Sequence, residues 1–456
     1  MSYTISEKVI PQYCRTALAL LNDAGFESYI VGGAVRDLVM GKIPHDYDVT
    51  TSAMPEETVG IMEANGIEVI PTGIKHGTVT AVIEGNPVEI TTFRIDGDYR
   101  DSRHPENVTF TRDIGGDVAR RDITINAMYL DKDGAVTDKV GGLEDIRTKT
   151  IRAVGDADAR FNEDALRILR CLRFSAQLGF GIEKDTFAAM EKAAPLLHNI
   201  SGERIAAELN SLVVSPFATG VIRRSVAILA YIIPELKDCE GFNQKSAYHD
   251  KDVLEHTLAV LDNIPADGSG KRDLCLALAA LFHDIGKPAC FYTDISGTGH
   301  MKGHPEVSAK ICERVLLELR YSNEVREETV RLVRYHDYYV NPSRSSVHRM
   351  MCNCGPEFLK KLAILQRADL LAHSFSGMKR LTLLSEIIET AKEIENSGAV
   401  FRASDLAISG KDVLDLGVQP GPQVGRILEA AFDDYVNGLV PNDRDSLLEL
   451  IRRRQG

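Results

Sequence analysis

The spacing of apolar positions divides the chain into a mixed first third and a helical remainder. Alternating apolar and polar positions predict strands at 28–32, 47–51, 78–85 and 87–94, the last two as a hairpin, after a helix at 6–25. From about residue 158 onward, apolar positions recur at helical spacing. The predicted helices cover 185–195, 201–213, 216–230, 252–264, 271–285, 305–320, 323–336, 355–373 and 378–396. We therefore predict an α+β fold, with a mixed-sheet head followed by an all-α body.

Composition supports a folded protein of several domains. The 456 residues are 44% hydrophobic and 26% charged, which argues against a disordered chain. No apolar run reaches the ~18 residues that span a bilayer, and the N-terminus lacks a secretory signal pattern. The eight cysteines are scattered and are interpreted as reduced thiols. We expect the chain to stay in the cytoplasm.

The net charge of −13 at first argues against a nucleic-acid partner, because proteins dedicated to nucleic acid are usually basic. The distribution of charge changes that view. Residues 1–150 carry −9 of the total, so residues 151–456 carry only −4. This near-neutral part contains small arginine groups within 167–173, 223–224 and 452–454. RNA binding therefore remains compatible with the composition.

A glycine pair follows the first predicted strand, in the segment VGGAVRD at 31–37. Gly32 and Gly33 lie where the strand gives way to a helix, and glycines there allow backbone N–H groups to approach a phosphate closely. Arg36 is one turn into that helix, within reach of phosphate oxygens. The segment predicts a phosphate-binding turn.

Three carboxylates are predicted to lie near this turn. Asp46 and Asp48 are two residues apart on the second strand, so their side chains should share one face, and Glu89 lies on a strand that can be adjacent. Such oxygen ligands suit Mg²⁺ and support two-metal phosphoryl transfer. An isolated Asp-x-Asp pair is more often a solvated turn, but the glycine pair and Arg36 favour a metal site.

The motifs GGAVRD and HDYDV resemble the head of the class II tRNA nucleotidyltransferases, which belong to the DNA polymerase beta superfamily and include bacterial poly(A) polymerases. The next matching motif, ARRDITINAM, contains Arg120, Arg121, Asp122 and Asn126. The resemblance implies nucleotide binding by these residues. Two adjacent arginines suit a triphosphate, and Asp122 can accept a hydrogen bond from a ribose hydroxyl. Without that context, the same residues would be a surface charge cluster.

A further motif of the family, EDxxR, is expected on the first long helix, where Glu163, Asp164 and Arg167 should share a face. The resemblance implies that Asp164 and Arg167 pair with the incoming base. Cytosine and adenine both present an amine beside an acceptor, so one pair of side chains could select both. The alternative is an ordinary salt bridge between residues three apart, with little effect on stability.

Two more family features follow. Arg204 and Glu208 match the ERxxxE motif and, with Glu163, are expected to support the helices that carry the base-reading pair. The polar segment 94–110 matches the flexible loop that accompanies addition of the terminal A. The loop residues that match are Arg94, Asp96, Tyr99, Asp101, Arg103 and Pro105.

A second set of motifs lies in the helical body, and its order resembles the HD phosphohydrolase superfamily. The matching residues are His256, His283, Asp284, His304, His336 and Asp369. Histidine and aspartate suit a divalent transition metal such as Mn²⁺, Ni²⁺ or Co²⁺, which can generate hydroxide. The resemblance implies a first metal on His256, His283, Asp284 and Asp369, a second near His304 and His336, and Lys287 beside the phosphate. This motivates a phosphohydrolase hypothesis, with 2′,3′-cyclic phosphates of RNA ends as substrates.

The tail at 408–454 resembles that of Bacillus-like class II enzymes, which implies tRNA contact; its apolar positions alone would indicate a packed helical hairpin. The predicted division is a nucleotidyltransferase head at 1–150, a neck at 151–215, a body at 216–400 with the HD region at about 250–375, and a tail at 401–456. No motif assigns a role to residues 214–250.

Together these features predict a CCA-adding tRNA nucleotidyltransferase with Mg²⁺ at its head. It would add CMP, CMP and AMP from CTP and ATP to the tRNA 3′ end and release pyrophosphate. The alternatives are an enzyme adding only A or only CC, a poly(A) polymerase, or a metal-dependent phosphohydrolase with a nucleotide-sensing head. The segment 94–110 argues against CC-only addition. A non-enzymatic RNA scaffold is disfavoured by two complete ligand sets, and the oligomeric state stays open.

Overall fold

A computed structural model describes residues 3–70, 73–74, 77–96, 108–245, 251–373 and 378–455. The chain divides into two compact units, Met1–Pro234 and Glu235–Gly456. The first combines a mixed sheet with helices and the second is mainly helical, as the α+β prediction requires. No helix within the described ranges is long and apolar enough to cross a membrane.

The strands of the first unit form one large sheet and two small pairs. Their ranges are β1 Tyr3–Thr4, β2 Ser28–Val31, β3 Asp48–Thr51, β4 Glu68–Ile70, β5 Thr78–Ile83, β6 Asn86–Thr92, β7 Arg94–Asp96, β8 Val108–Phe110, β9 Met128–Leu130, β10 Ala135–Asp138, β11 Thr150–Ile151 and β12 Gly181–Ile182. The large sheet has the order β1-β10-β9-β2-β3-β6-β5-β4. β3 runs parallel to β6 and antiparallel to β2, so the sheet is mixed, as predicted.

Helices cover the large sheet and continue beyond it. The helices of the first unit are α1 Gln12–Asp23, α2 Gly33–Val39, α3 Pro55–Ala64, α4 Ile114–Ala119, α5 Gly142–Arg147, α6 Ala157–Glu163, α7 Leu166–Leu178, α8 Lys184–Ala193, α9 Gly202–Val213, α10 Ala218–Arg224 and α11 Val226–Leu229. The amphipathic pattern of α1 buries Leu18 and Leu21 in the same core as Ile30, Val49 and Ile90 of the sheet. This core fixes the edges of β3 and β6 that carry the predicted carboxylates.

The second unit is built from helices and one two-stranded ribbon. The elements are α12 Glu235–Cys239, α13 Val253–Asn263, α14 Leu274–Phe282, α15 Lys287–Cys290, β13 Tyr292–Thr293, β14 Gly299–His300, α16 His304–Glu318, α17 Asn323–Tyr335, α18 Arg344–Cys354, α19 Pro356–Ala372, α20 Met378–Asn396, α21 Gly410–Asp415, α22 Pro422–Val436 and α23 Arg444–Gln455. Helix α14 is buried from Cys275 to Phe282 because nearly every side chain is apolar. The last three helices share a separate hydrophobic cluster.

Several predicted element boundaries were wrong. The single helix at 6–25 is a short 3₁₀ turn at Glu7–Val9 followed by α1, because Pro11 stands at the boundary between them. The helix at 216–230 is interrupted at Ser225. Helix α18 was not predicted at all.

The predicted loop at 94–110 begins and ends in strands, because β7 and β8 pair with each other. Four of its matched residues lie outside the described residues: Tyr99, Asp101, Arg103 and Pro105. The loop's predicted role in adding the terminal A therefore stays a prediction.

Candidate active sites

The glycine turn joins β2 to α2 as the sequence predicted. Gly32 caps the helix with a φ of 78°, a backbone conformation that favours glycine. A Cβ atom on Gly33 would lie 3.5 Å from Nη2 of Arg36, so the guanidinium folds back against the turn. Arg36 is buried and donates hydrogen bonds to Oδ1 of Asn126 at 2.8 Å and Oδ1 of Asp37 at 2.9 Å. Its charge is thus held beside the turn.

The three predicted carboxylates lie at one edge of the sheet. The pairing of Val49 with Ile90 places Asp48 and Glu89 at corresponding positions of two parallel strands. Asp46 was wrongly expected on a strand: β3 begins at Asp48, and Asp46 lies in the preceding irregular segment. All three side chains face solvent.

The carboxylates influence one another electrostatically. Desolvation and then the negative charges of Asp46 and Glu89 raise the pKa of Asp48 to about 6, and Arg121 partly opposes them. Because the Asp48 side chain stays exposed, we regard repulsion among the carboxylates as the more important cause of its raised pKa. A bound cation would relieve that repulsion, and hard oxygen ligands suit Mg²⁺. The three carboxylates together are not among the groups of described residues whose ligand atoms lie within 4.8 Å of one another, so an ion would have to draw them closer.

A buried aspartate that sequence reasoning missed organises the arginine pair. Asp117 of α4 accepts hydrogen bonds from Arg120 at 2.6 and 2.8 Å, from Arg121 at 2.9 Å, and from the Tyr129 hydroxyl at 2.7 Å. Burial alone would raise the pKa of Asp117, but the guanidinium groups of Arg121 and Arg120 outweigh burial and lower it. The spacing of Asp117 from the two arginines, three and four residues, was the available signal.

Asp122 has partners for both carboxylate oxygens. Oδ2 accepts from Nε of Arg170 at 2.7 Å, and Oδ1 accepts from the backbone N–H of Ile123 at 2.8 Å. Burial opposes ionisation, but Arg170 lowers the pKa of Asp122. A ribose hydroxyl would have to share these oxygens, so the predicted ribose contact stays a prediction.

The EDxxR motif does not lie on one helix, contrary to expectation. The chain breaks between α6 and α7 at Asp164, which has φ −140° and ψ 103°. Arg167 pairs with Glu163 at 2.7 Å, whereas Asp164 pairs with Arg204 at 2.7 Å. The predicted alternative, a salt bridge between Asp164 and Arg167, is therefore absent among these described residues.

The ERxxxE motif joins α9 to α7. Arg204 holds Asp164 directly, and Glu208 pairs with Nε of Arg173 at 2.7 Å and lies 3.8 Å from Nη1 of Arg170. Arg173 also stacks over the Phe174 ring, 4.2 Å from its centroid. The supporting role of Arg204 and Glu208 stays a prediction.

In the second unit, the structure brings all six predicted histidine and aspartate residues together. His283, His304 and His336 each donate Nδ1–H to the backbone carbonyl three residues earlier, at 2.8, 2.9 and 2.6 Å. A carbonyl only accepts, so in the neutral imidazole each Nε2 is the acceptor nitrogen, and the Nε2 atoms converge. The Nε2 atoms of His283 and His256 are 3.4 Å apart, and those of His304 and His336 are 3.2 Å apart.

Asp284 lies between the two histidine pairs. Its Oδ2 is 3.2 Å from Nε2 of His283 and 3.4 Å from that of His256. Its Oδ1 is 3.2 Å from Nε2 of His304 and 3.6 Å from that of His336. These separations match ligand atoms each roughly 2.1 Å from a shared ion, and one carboxylate serves both groups.

Two aspartate oxygens complete the fit to a metal. Oδ2 of Asp284 and Oδ1 of Asp369 are buried, and no described hydrogen-bond donor is aligned with either. Nζ of Lys287 forms an ion pair with the same Oδ2 of Asp284 at 2.6 Å and also donates to Gln244 at 3.0 Å. Buried carboxylate oxygens and imidazole nitrogens that lie within 3.6 Å of one another are the donor types that a divalent transition metal prefers.

One further histidine was missed by sequence reasoning. Nε2 of His373 is 3.3 Å from Oδ1 of Asp369, which is 2.9 Å from Nε2 of His256. Among the described residues, three groups have ligand atoms within 4.8 Å of one another, and all belong to this cluster. The groups are His256–Asp369–His373, His256–His283–Asp284 and Asp284–His304–His336. The spacing of four residues from Asp369 on α19 was the signal for His373.

The sheet, glycine turn and carboxylate edge define a nucleotidyltransferase head, and comparison with protein families supports that class. Residues 28–152 match the "Poly A polymerase head domain", residues 179–240 the "Probable RNA and SrmB-binding site of polymerase A", and residues 304–451 domain 2 of tRNA nucleotidyltransferases. A CCA-adding enzyme of Leuconostoc mesenteroides is 33% identical over 94% of this chain and 93% of its own length. The chain belongs to the CCA-adding enzymes.

Other relatives agree with this assignment. A CCA-adding enzyme of Streptococcus mutans is 32% identical over 98% of both chains. The crystal structure of the Bacillus stearothermophilus CCA-adding enzyme in complex with CTP has a TM-score of 0.72 and 28% identity over 97% of each chain. The Thermotoga maritima CCA-adding enzyme complexed with tRNA has a TM-score of 0.60 at 19% identity, which shows a shared fold.

Proposed function

We propose that this protein adds CMP, CMP and AMP to the 3′ end of tRNA from CTP and ATP, without a template. The observation that carries the proposal is similarity to CCA-adding enzymes over nearly the whole chain, together with the carboxylates beside the glycine turn. A solved relative contains CTP, and another contains tRNA. Because tRNA is the proposed substrate, the expected location is the cytoplasm.

The head would bind and position the triphosphate. Mg²⁺ held by Asp46 and Asp48, with Glu89 nearby, would activate the attacking hydroxyl and neutralise the leaving pyrophosphate. Gly32 and Gly33 leave room for phosphate oxygens at the turn. Arg120 and Arg121, which directly follow α4, would face the triphosphate and are held in position by Asp117. In each transfer the 3′ oxygen bonds to the α-phosphorus and pyrophosphate leaves with the electron pair.

Asp164 and Arg167 would read the base. Arg204 fixes Asp164, and Glu163 fixes Arg167, so the two side chains are held from opposite sides of the helix break. Asp164 would accept from the exocyclic amine of cytosine or adenine, and Arg167 would donate to the adjacent acceptor. Guanine and uracil present a carbonyl where the amine is needed, so an oxygen of Asp164 would face an acceptor instead of a donor, which is costly in a desolvated site.

The head assignment is tested with labelled nucleotides and tRNA that ends before CCA. Asp48→Asn should abolish incorporation, whereas Asp133→Asn, which alters an exposed aspartate paired with Lys132, should not change it. Full incorporation by Asp48→Asn would refute the assigned site.

A second activity is favoured by the histidine–aspartate cluster of the second unit. We propose that these residues hold a divalent transition metal, with Mn²⁺, Ni²⁺ and Co²⁺ as candidates, and hydrolyse a phosphoester. The metal would supply a hydroxide at neutral pH. Asp284 would contribute one oxygen to each histidine group, and Lys287 lies beside the same carboxylate. In the reaction the water oxygen bonds to phosphorus, one ester P–O bond breaks, and the leaving oxygen takes up a proton.

The second activity is tested separately with 2′,3′-cyclic AMP and each candidate metal. His283→Ala with Asp284→Ala should abolish hydrolysis but retain nucleotide incorporation, and Asp46→Ala with Asp48→Ala should have the opposite effect. Failure of the unaltered protein to hydrolyse the substrate with any metal would count against the phosphohydrolase. Loss of both activities in the histidine–aspartate variant alone would contradict the nucleotidyltransferase assignment.

A further inference from the structure

A small cavity opens beside the histidine–aspartate cluster. It is lined by His336 and Asp369, one from each half of the cluster, and by Tyr338, Tyr339, Gln366 and Arg380. Its volume of about 20 Å³ is room for roughly one water molecule. Only a single atom of a ligand, such as one phosphate oxygen, could therefore enter the cavity, while the rest of the ligand would lie outside it.

The surface around this cavity has side chains that suit the binding of a nucleic-acid end. Tyr338 and Tyr339 are 52% and 54% exposed, unusual for two adjacent aromatic residues. Arg380 is exposed and makes no ion pair with the residues that the structure describes. Exposed aromatic rings offer stacking faces to any base, and an unneutralised guanidinium suits a phosphate.

The aromatic pair is held in place rather than being a loose surface segment. Nε2 of Gln366 donates to the backbone carbonyls of His336 and Tyr338, at 3.0 and 2.8 Å. The Tyr338 ring packs edge to face against Tyr335, with centroids 5.8 Å apart. Helix α20 supplies Arg380 on the same cavity and buries Leu384 and Ile387 beneath it. The backbone at Tyr338 and the ring of Tyr338 are therefore held next to the cavity, and α20 places Arg380 on its lining.

We propose that this rim, formed by Tyr338, Tyr339 and Arg380, binds the last two nucleotides of a single-stranded RNA whose terminal phosphate lies at the mouth of the cavity and points one oxygen toward the cluster. The terminal base stacks on the tyrosines, and Arg380 pairs with the phosphate between the last two nucleosides. The inference rests on the proposed phosphohydrolase and makes it specific for RNA ends over isolated mononucleotides.

The test compares three substrates that differ in what they offer the rim. Bis(p-nitrophenyl) phosphate offers neither base nor second phosphate, 2′,3′-cyclic AMP offers a base, and the dinucleotide ApA with a 2′,3′-cyclic phosphate offers both. Arg380→Gln should lower kcat/KM about tenfold for the dinucleotide alone, the loss expected for one charged hydrogen bond. Tyr338→Ala with Tyr339→Ala should lower it about tenfold for both nucleotide substrates through lost stacking.

Matched variants and a binding measurement complete the test. Tyr338→Phe with Tyr339→Phe should retain activity, since the rings remain. Lys392→Gln is the matched control for Arg380→Gln, because it removes an exposed cation of α20 that does not line the cavity. By calorimetry, Arg380→Gln should weaken binding of the 3′-phosphorylated dinucleotide ApAp about tenfold. Equal losses on all three substrates, or no loss on the dinucleotide, would overturn the rim. No hydrolysis of any substrate by the unaltered protein would overturn the phosphohydrolase and the rim with it.

Discussion

At the residue scale, Asp48 lies beside two other carboxylates, which suits a metal but destabilises the metal-free fold. Its pKa of about 6 is above the ordinary value of 3.8. Between those values the folded state retains a proton that the unfolded chain has lost, so stability falls as pH rises through this window. The deficit is complete above the folded pKa.

This predicts that Asp48→Asn stabilises the metal-free protein in a pH-dependent way. The gap in melting temperature between variant and unaltered protein should be smallest near pH 4, grow up to about pH 6, and then level off. Thermal unfolding across that range in a chelating buffer measures it. Added Mg²⁺ should narrow the gap at neutral pH, because only the unaltered protein keeps the full ligand set. A gap that does not vary with pH would contradict the prediction.

His373 provides a second prediction at this scale. Its Nε2 lies 3.3 Å from the Asp369 oxygen that faces the cluster, so it is placed to orient that ligand. His373→Ala should weaken Mn²⁺ or Co²⁺ binding about tenfold or more, the usual effect of removing an outer partner of a metal ligand. Calorimetric titration of the full chain measures the affinity. His300→Ala is the control, since His300 pairs with Asp294 outside the cluster. Equal affinities of all three proteins would remove His373 from the metal site.

At the element scale, Asp117 ties α4 to β9. Its fully buried carboxylate binds two arginines of the adjoining segment and the Tyr129 hydroxyl. Asp117→Asn should lower the free energy of unfolding by about 3 kcal/mol, since it leaves two guanidinium groups without their buried counter-charge. Denaturant unfolding measures the change, and Asp133→Asn on the surface should alter it by less than about 0.5 kcal/mol. Similar values for the two variants would show that the network is not needed for stability.

The break between α6 and α7 leads to a prediction about nucleotide choice. Arg204→Ala removes the partner of Asp164, so the carboxylate should lose its fixed orientation toward a base. Discrimination of CTP against UTP, as a ratio of kcat/KM values, should fall about tenfold or more. Arg224→Ala, which alters an exposed arginine at the end of α10, is the matched control. Undiminished discrimination in Arg204→Ala would exclude the positioning role.

The sequence predicts an element well where the local pattern of apolar and polar residues determines its structure, and poorly where contacts distant in sequence do. The strands carrying Asp48 and Glu89 were predicted because their apolar and polar residues alternate, which indicates a strand with one buried face. The break at Asp164 was not predicted, because the apolar stripe continues across it. The extended backbone of Asp164 accompanies its ion pair with Arg204, and this contact cannot be recognised from the local pattern. Helix α18 was missed because Val347, Met350 and Met351 have helical spacing over little more than one turn, which is a weak signal.

The sites show the same limit. Motif order predicted the residues of both clusters, including the convergence of six histidines and aspartates from five segments. It did not predict their partners, because pairings such as Asp122 with Arg170 join residues 48 positions apart. Asp117 and His373 were within reach of a spacing argument, but many acidic and histidine residues have equivalent spacings.

At the scale of the whole molecule, each compact unit carries one candidate site, the carboxylate edge in the first and the histidine–aspartate cluster in the second. The division into head, neck, body and tail stays a prediction, as does tRNA contact by the tail. Most of the net negative charge lies in residues 1–150, the segment that also contains the candidate metal-binding carboxylates. We expect the near-neutral remainder to read tRNA by shape, with weak affinity for arbitrary nucleic acid that declines with salt.

The central claim is CCA addition, and the sequence of the product tests it most directly. The full chain is incubated with Mg²⁺ and a tRNA that ends before CCA, and the extended 3′ end is read by mass spectrometry. With CTP alone the product should gain two C residues and stop. With CTP and ATP it should gain CCA and stop. Addition of A with no preceding C, or a long run of A, would contradict the account.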